Sequence, residues 1–190
     1  MKPISKMDWD IIDARVTKAC DRHKFQKRTV GFLAIVIDQV FPGHEDQLQE
    51  IITDGPDDKG VDAIHIVEGE SSAEVFLFQS KYRESHGTCH KTINDAEVLK
   101  IGLFLNELFD KSDSLAGSGN FQLQEAVRRI WELHDKGKIC RYKVIFCSNG
   151  SGFSTSAQGI SESVKASHSS VSFEFYSGHD VVQAMAIEGR

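Results

Sequence analysis

Asp62, Gln79 and Lys81 are the residues whose types and spacing could do chemistry together. Gln79 and Lys81 lie two apart at the end of an apolar run, Glu74–Lys81 (EVFLFQSK), and side chains two apart on a strand share a face. Asp62 stands near the start of the preceding β-branched run, Val61–Val67 (VDAIHIV), and Glu68–Ala73 is short enough to join the two runs as a hairpin that brings Asp62 beside the other pair. One carboxylate, one amide oxygen and one ammonium gathered at a sheet edge suit a divalent cation. Mg2+ takes oxygen ligands, keeps several waters and uses only one or two protein carboxylates, so Asp62 and the Gln79 side-chain oxygen are a sufficient start, with Mn2+ as a substitute. Lys81, a compact point charge, would orient an attacking water or stabilise charge developing on phosphorus. A plainer reading stands beside this one. Asp62 closes the Asp54–Asp62 turn through side-chain hydrogen bonds, and Gln79 and Lys81 are an ordinary polar strand end. Asp57 and Asp58 read as turn residues, and Tyr82 and Arg83 either as phosphate contacts or as the polar start of a loop.

The elements that must hold these residues follow from periodicity. Asp8–Lys27 carries Trp9, Ile12, Val16 and Phe25 at helical spacing, as an outer amphipathic helix does. Thr29 is placed to cap a second helix, Val30–Phe41 (VGFLAIVIDQVF), apolar nearly all round and closed by Pro42-Gly43, with Asp38 its one charge. His44–Ile52 suggests a further helical turn or two, and Thr53–Gly60 (TDGPDDKG) is turn chemistry. After the hairpin come helices at Thr92–Phe109 and Phe121–His134 with a Gly/Ser loop between them. A strand at Tyr142–Ser148, a polar helix at Ser154–Ser167, a strand at Val171–Tyr176 and a helix at His179–Ile187 complete the chain. This order predicts an α/β (α+β) architecture, a mixed sheet of about four strands flanked by helices, in one domain.

Charge sharpens the picture. The 190 residues carry formal net charge −6, which taken alone argues against a protein that coats nucleic acid. The segments 1–31, 32–80 and 81–190 carry +4, −10 and 0, so the whole deficit falls in the segment around Asp62. A run this acidic is either a solvated face or a cluster that a cation neutralises. The start MKPISKMDWDII lacks the apolar stretch of a signal peptide, and Val30–Ile37, the longest apolar run, falls far short of the roughly 18 residues a membrane span needs. Four cysteines (Cys20, Cys89, Cys140, Cys147) without CxxC or disulfide-rich spacing fit reduced thiols, so a cytoplasmic protein with no membrane partner is expected.

The stretch Asp58-Lys59-Gly60-Val61-Asp62 followed by Gln79-Ser80-Lys81 resembles the PD-(D/E)xK nuclease superfamily, in the Mrr-like branch where Gln replaces the second acid. With Thr53-Asp54-Gly55 and Gln79–Arg83 (QSKYR) it resembles more closely still the N-terminal nuclease-like domain of abortive-infection phage-resistance (AIPR) proteins. The resemblance implies a restriction-endonuclease-like core over residues 1–190, with Asp62 as principal metal ligand, Gln79 as the second and Lys81 as the catalytic lysine. The activity implied is Mg2+-dependent endonucleolytic hydrolysis of DNA, RNA not excluded, in bacterial anti-phage defence. The superfamily usually adds a Glu from the helix before the hairpin. Val30–Phe41 contains none, and Asp38 is the nearest candidate for that ligand, with Glu45 and Glu50 further along. Without such an acid, the fold reads instead as a catalytically weak or inactive module that binds nucleic acid or a partner protein. AIPR-like proteins usually continue beyond such a domain, so a longer parent chain is expected; a homodimer is left open.

Other motifs are weaker. His86, Cys89 and His90 with Cys20 and His23 could be drawn as a zinc site, but the halves lie far apart in sequence. Cys147–Ala157 (CSNGSGFSTSA) could bare Gly150 and Gly152 amides to a phosphate, although no GxGxxG or GxxxxGK[ST] is present. Basic residues suited to grip a phosphate backbone cluster in two places. Lys27 and Arg28, with Lys18, Arg22 and Lys24, lie near the N-terminus; Arg128 and Arg129, with Lys136, Lys138, Arg141 and Lys143, precede the third strand. Together with Arg83 they would wall an acidic metal pocket with positive charge.

Overall fold

A computed structural model describes residues 2–188. Four strands, β1 (Ala63–Glu68), β2 (Ser72–Lys81), β3 (Ile139–Ser148) and β4 (Val171–Ser177), form one sheet in the order β1-β2-β3-β4. The β1–β2 hairpin is antiparallel; β2–β3 and β3–β4 are parallel, each reached by a helical crossover. Helices α1 (Lys6–His23), α2 (Arg28–Val40) and α8 (Gly178–Glu188) cover one face, and α4 (Asp95–Phe109), α5 (Asp113–Ser118), α6 (Phe121–Asp135) and α7 (Thr155–Ser167) the other; α3 (Leu48–Ile51) is a single turn before β1. The mixed α/β architecture expected from the sequence is therefore present.

Both neighbours of β2 are strands and both its faces are covered, so it reads as a continuous apolar run. Val75 and Leu77 enter the core under α4 and α6, whereas Phe76 and Phe78 enter the core under α1 and α2. The same alternation turns Gln79 and Lys81 toward α4. On β1, Ile64 belongs to the α4 side and Ala63 to the α1 side, so Asp62 falls on the face of Gln79.

Several boundaries moved for identifiable reasons. β1 begins at Ala63 because Val61 N donates to Asp58 O and is spent on the turn. β2 and β3 start earlier than the apolar pattern does, since Gly69–Ser71 suffices for the hairpin and Ile139 N donates to Ser71 O. The Gly/Ser segment contains the short helix α5, which buries Leu115 completely. Thr29 is no cap: α2 starts one residue earlier, and its cap residue Lys27 makes no side-chain cap bond. At Gly31 an added Cβ would lie 2.4 Å from Cys20 Sγ and 3.1 Å from Val16 O, so the missing side chain lets α1 and α2 close on each other.

Gly150, just past β3, meets rigid backbone, with Lys91 O 2.5 Å from where a Cβ would stand. Gly150→Ala is expected to cost roughly 1–3 kcal/mol, the range of an overpacked site. A lowered urea midpoint with unchanged slope is the result expected; an unchanged midpoint would refute the close approach.

Candidate metal centre

The register Ala63↔Phe78 places Asp62 opposite Gln79, one residue before β1 begins. Backbone bonds hold it there: Asp62 N donates to Phe78 O at 2.8 Å, and Asp62 O accepts from Thr53 N at 2.9 Å and Asp54 N at 3.0 Å. Asp62 is 9% exposed, and its side-chain Oδ2 accepts from Ser80 N at 2.6 Å. Burial is the main force that pushes its carboxyl up to about 7; Asp58 and Asp54 add to it, and the Ser80 amide and Lys81 oppose it.

The turn before Asp62 winds through three residues of positive φ, Asp57 (61°), Lys59 (56°) and Gly60 (82°). Asp58 Oδ1 accepts from Gly60 N at 2.8 Å, and Asn120 Nδ2 donates to Thr53 O at 2.6 Å, which ties the turn to α6. The result is convergence. Oxygen atoms of Asp54, Asp58 and Asp62 all lie within 4.8 Å of one another, the one such group of His, Cys, Asp or Glu side chains among the described residues. Asp58 is thus both a turn residue and a member of the cluster, whereas Asp57 is exposed and outside it. Lys27 Nζ reaches Asp54 Oδ2 at 2.7 Å, where a cation already offsets part of the cluster's charge.

Across the hairpin, Gln79 is 2% exposed. Its Nε2 donates to Glu97 Oε2, and its Oε1 is buried with no hydrogen-bond partner among the described residues. Two other buried side-chain atoms share that condition, Ser80 Oγ and Arg83 Nε, both close in sequence to the same strand end. Lys81 Nζ stands 3.0 Å from Glu97 Oε1, and Lys100 Nζ 3.7 Å from Glu97 Oε2. Burial works against charge on Glu97, but Lys81, Lys100 and the Gln79 amide outweigh it and hold the carboxyl below the usual range.

Glu97 was not singled out from the sequence. A signal was there: Asn94 caps α4, and Asn94-x-x-Glu97 has the form that sets an acid in the first helical turn. Nothing local says that this turn lies over the end of β2.

Asp38, expected as a third ligand, is not in the cluster. It lines a hollow between α1 and α2 together with Arg15, Lys18, Arg22 and Glu45, because its position on α2 turns it toward α1. Arg28 is engaged by Asp13 and lies over the Tyr82 ring, 5.7 Å from its centroid. Arg83 is held by its backbone N on Asn149 Oδ1 and by its guanidinium on Thr92 O. Arg128 pairs with Glu125, and Arg129 stands 3.7 Å from Glu68 at the far end of β1, about 20 Å of strand from Asp62. Of the basic residues proposed to wall the site, Lys27 alone pairs with a member of the cluster.

The weaker motifs are accounted for locally. Gly150 N donates to Ser148 Oγ within that loop, and Ser151 N donates to Lys91 O on the neighbouring segment, so the Gly150 amide is not free for a phosphate. Cys89 is fully buried with Sγ toward Ser85 O, and His86 Nε2 contacts Ile4 O, an arrangement that joins loop to N-terminus. Comparison with protein-family models, with curated proteins and with solved structures finds no match to the chain. Among the described residues, no helix is long and apolar enough to cross a membrane.

Proposed function

We propose that the chain is a metal-dependent phosphodiesterase acting on DNA. The observation that carries this reading is the buried Gln79 Oε1, without a partner among the described residues, on a strand end directly opposite Asp62, which belongs to a cluster of three carboxylates. An orphaned acceptor next to crowded acids is unfavourable unless a cation joins them. The donor set, all oxygen, fits a hard divalent ion such as Mg2+ or Mn2+. Asp62 and Gln79 Oε1 would hold it, with Asp54 and Asp58 in reach in place of Asp38. When bound, Mg2+ supplies a Lewis acid for the scissile phosphate and lowers the pKa of water near it. Lys81, partly exposed beside these ligands, supplies positive charge to the phosphate as charge builds in the transition state. The resemblance at Asp58–Asp62 and Gln79–Arg83 supports a DNA substrate and a part in bacterial anti-phage defence.

Supercoiled plasmid is the direct test. The purified chain should nick it in Mg2+ or Mn2+ and not in EDTA, and Asp62→Ala should abolish nicking with the fold retained. Equal cleavage by wild type and Asp62→Ala would remove the assignment.

One observation favours a second reading, a nuclease fold that binds nucleic acid or a partner without cutting. The Lys81 ammonium is engaged by Glu97. Calorimetry separates the two: DNA binding with no uptake of millimolar metal would favour the module.

A further inference from the structure

Gln79 raises a chemical problem that neither the strand nor the turn solves. A carboxylate presents oxygen to a cation whichever way it rotates, but a side-chain amide presents oxygen one way and an NH2 group the other. In the wrong orientation Gln79 would point two N–H donors at the place where a cation must sit. Something has to choose.

We infer that Glu97 is the positioning residue that fixes the Gln79 amide with its oxygen turned to the metal ligands. Its claim rests on the proposed metal centre and on three features of the geometry. Glu97 sits in the first turn of α4, over the face of β2 that carries Gln79 and Lys81, and its side chain is 14% exposed. Its Oε2 accepts from Gln79 Nε2 while its Oε1 pairs with Lys81 at 3.0 Å, and the neighbouring Lys100 at 3.7 Å adds a second cation. Gln79 Oε1, the other end of the same amide, is left buried with no partner among the described residues.

An ionised carboxylate only accepts hydrogen bonds, so it takes the NH2 end of Gln79 and repels the oxygen. Lys81 at 3.0 Å and Lys100 at 3.7 Å pair with this carboxylate. The choice of amide orientation is therefore made by charge, not by shape. Flipping the amide would set Gln79 Oε1 against a carboxylate oxygen and put NH2 where the unpartnered oxygen now lies. Groups that orient metal ligands in this way are typically worth 10–100-fold in metal affinity.

A charge exchange tests this. Glu97→Gln keeps the volume but lets residue 97 either donate or accept, so the Gln79 orientation is no longer dictated. Gln79→Glu alone puts two carboxylates in contact. The double variant Gln79→Glu with Glu97→Gln restores a donor–acceptor pair and presents an oxygen to the cation whichever way residue 97 turns. Mn2+ affinity is read by calorimetry, and the Gln79 side-chain NH2 resonances are read by NMR without metal. The expected pattern is Mn2+ binding by wild type, binding weakened about 10–100-fold in Glu97→Gln with a shifted Gln79 NH2 signal, and recovery in the double variant to within a few-fold of wild type. Wild-type binding with equal affinity in Glu97→Gln overturns the role of Glu97 and leaves the metal centre standing. A double variant no better than Glu97→Gln, with dispersed amide spectra showing both folded, overturns it too. Absence of Mn2+ binding by wild type overturns the metal centre itself and the role with it.

Discussion

Asp62→Asn is expected to make the metal-free protein more heat-stable at pH 8 while it eliminates Mg2+-dependent cleavage. Burial raises the Asp62 carboxyl from an ordinary 3.8 to about 7, so the folded chain holds a proton there that the unfolded chain releases. Between those two values the native state binds more protons than the unfolded one, and stability falls as pH rises. Below the lower value there is no penalty, and above pH 7 it is complete. The whole shift corresponds to about 4 kcal/mol at most. Asparagine keeps the shape and still accepts from Ser80 N, but carries no charge to bury beside Asp54 and Asp58. At about 2–4 °C per kcal/mol for a chain of this size, a rise of roughly 5–15 °C is expected at pH 8 in EDTA, and little change at pH 4. A midpoint at or below wild type at pH 8 would show that Asp62 is not a strained buried charge. The combination of higher stability with lost activity is the signature of a group retained for chemistry and not for folding.

Lys81→Ala should separate binding from catalysis in the opposite way. Lys81 is 36% exposed in its side chain and lies outside the oxygen cluster, so its removal takes away no ligand. Mn2+ affinity should stay within a few-fold of wild type, because Lys100 still pairs with Glu97 and no ligand is removed. The nicking rate should fall at least 100- to 1,000-fold, the scale of losing one group that stabilises transition-state charge. Lys81→Arg should recover little, since a planar fork replaces a compact point charge on the same strand end. Single-turnover nicking at saturating Mn2+ is the measurement. Wild-type rates in Lys81→Ala would assign the residue to structure alone, as a partner of Glu97.

Why some of this was legible in the sequence and some was not follows from distance along the chain. Strand alternation and a short hairpin connection are local, and they bring Asp62, Gln79 and Lys81 to one face without any knowledge of the helices. The convergence of Asp54 and Asp58 on Asp62 depends on left-handed backbone at Asp57 and Lys59, residue types that do not demand it, and on the Asn120 tether from α6. Those facts are tertiary. Asp38 shows the converse failure: a helix can be read from its apolar pattern, but which way a single charge on its rim points depends on the neighbouring helix, here α1 across Gly31. Glu97 lies on the element after the strand, and its meeting with Gln79 is set by how α4 crosses the sheet. The basic residues read as phosphate grips were judged by type; their partners Asp54, Asp13, Glu125 and Glu68 could not be read from type alone.

The division of β2 between two cores protects the candidate site from error during folding. A slip of one residue in its pairing would send Phe76 and Phe78 under α4 and α6 and bring Val75 and Leu77 under α1 and α2, while Gln79 and Lys81 turned to the wrong side. Misfitting four such side chains forfeits on the order of 5–10 kcal/mol, comparable to the whole stability of a domain. Polar groups at the strand end are too weak to compete with that. Hydrophobic sorting thus acts as a proofreader for the chemistry: the chain cannot reach its folded state with the aspartate and the glutamine out of step.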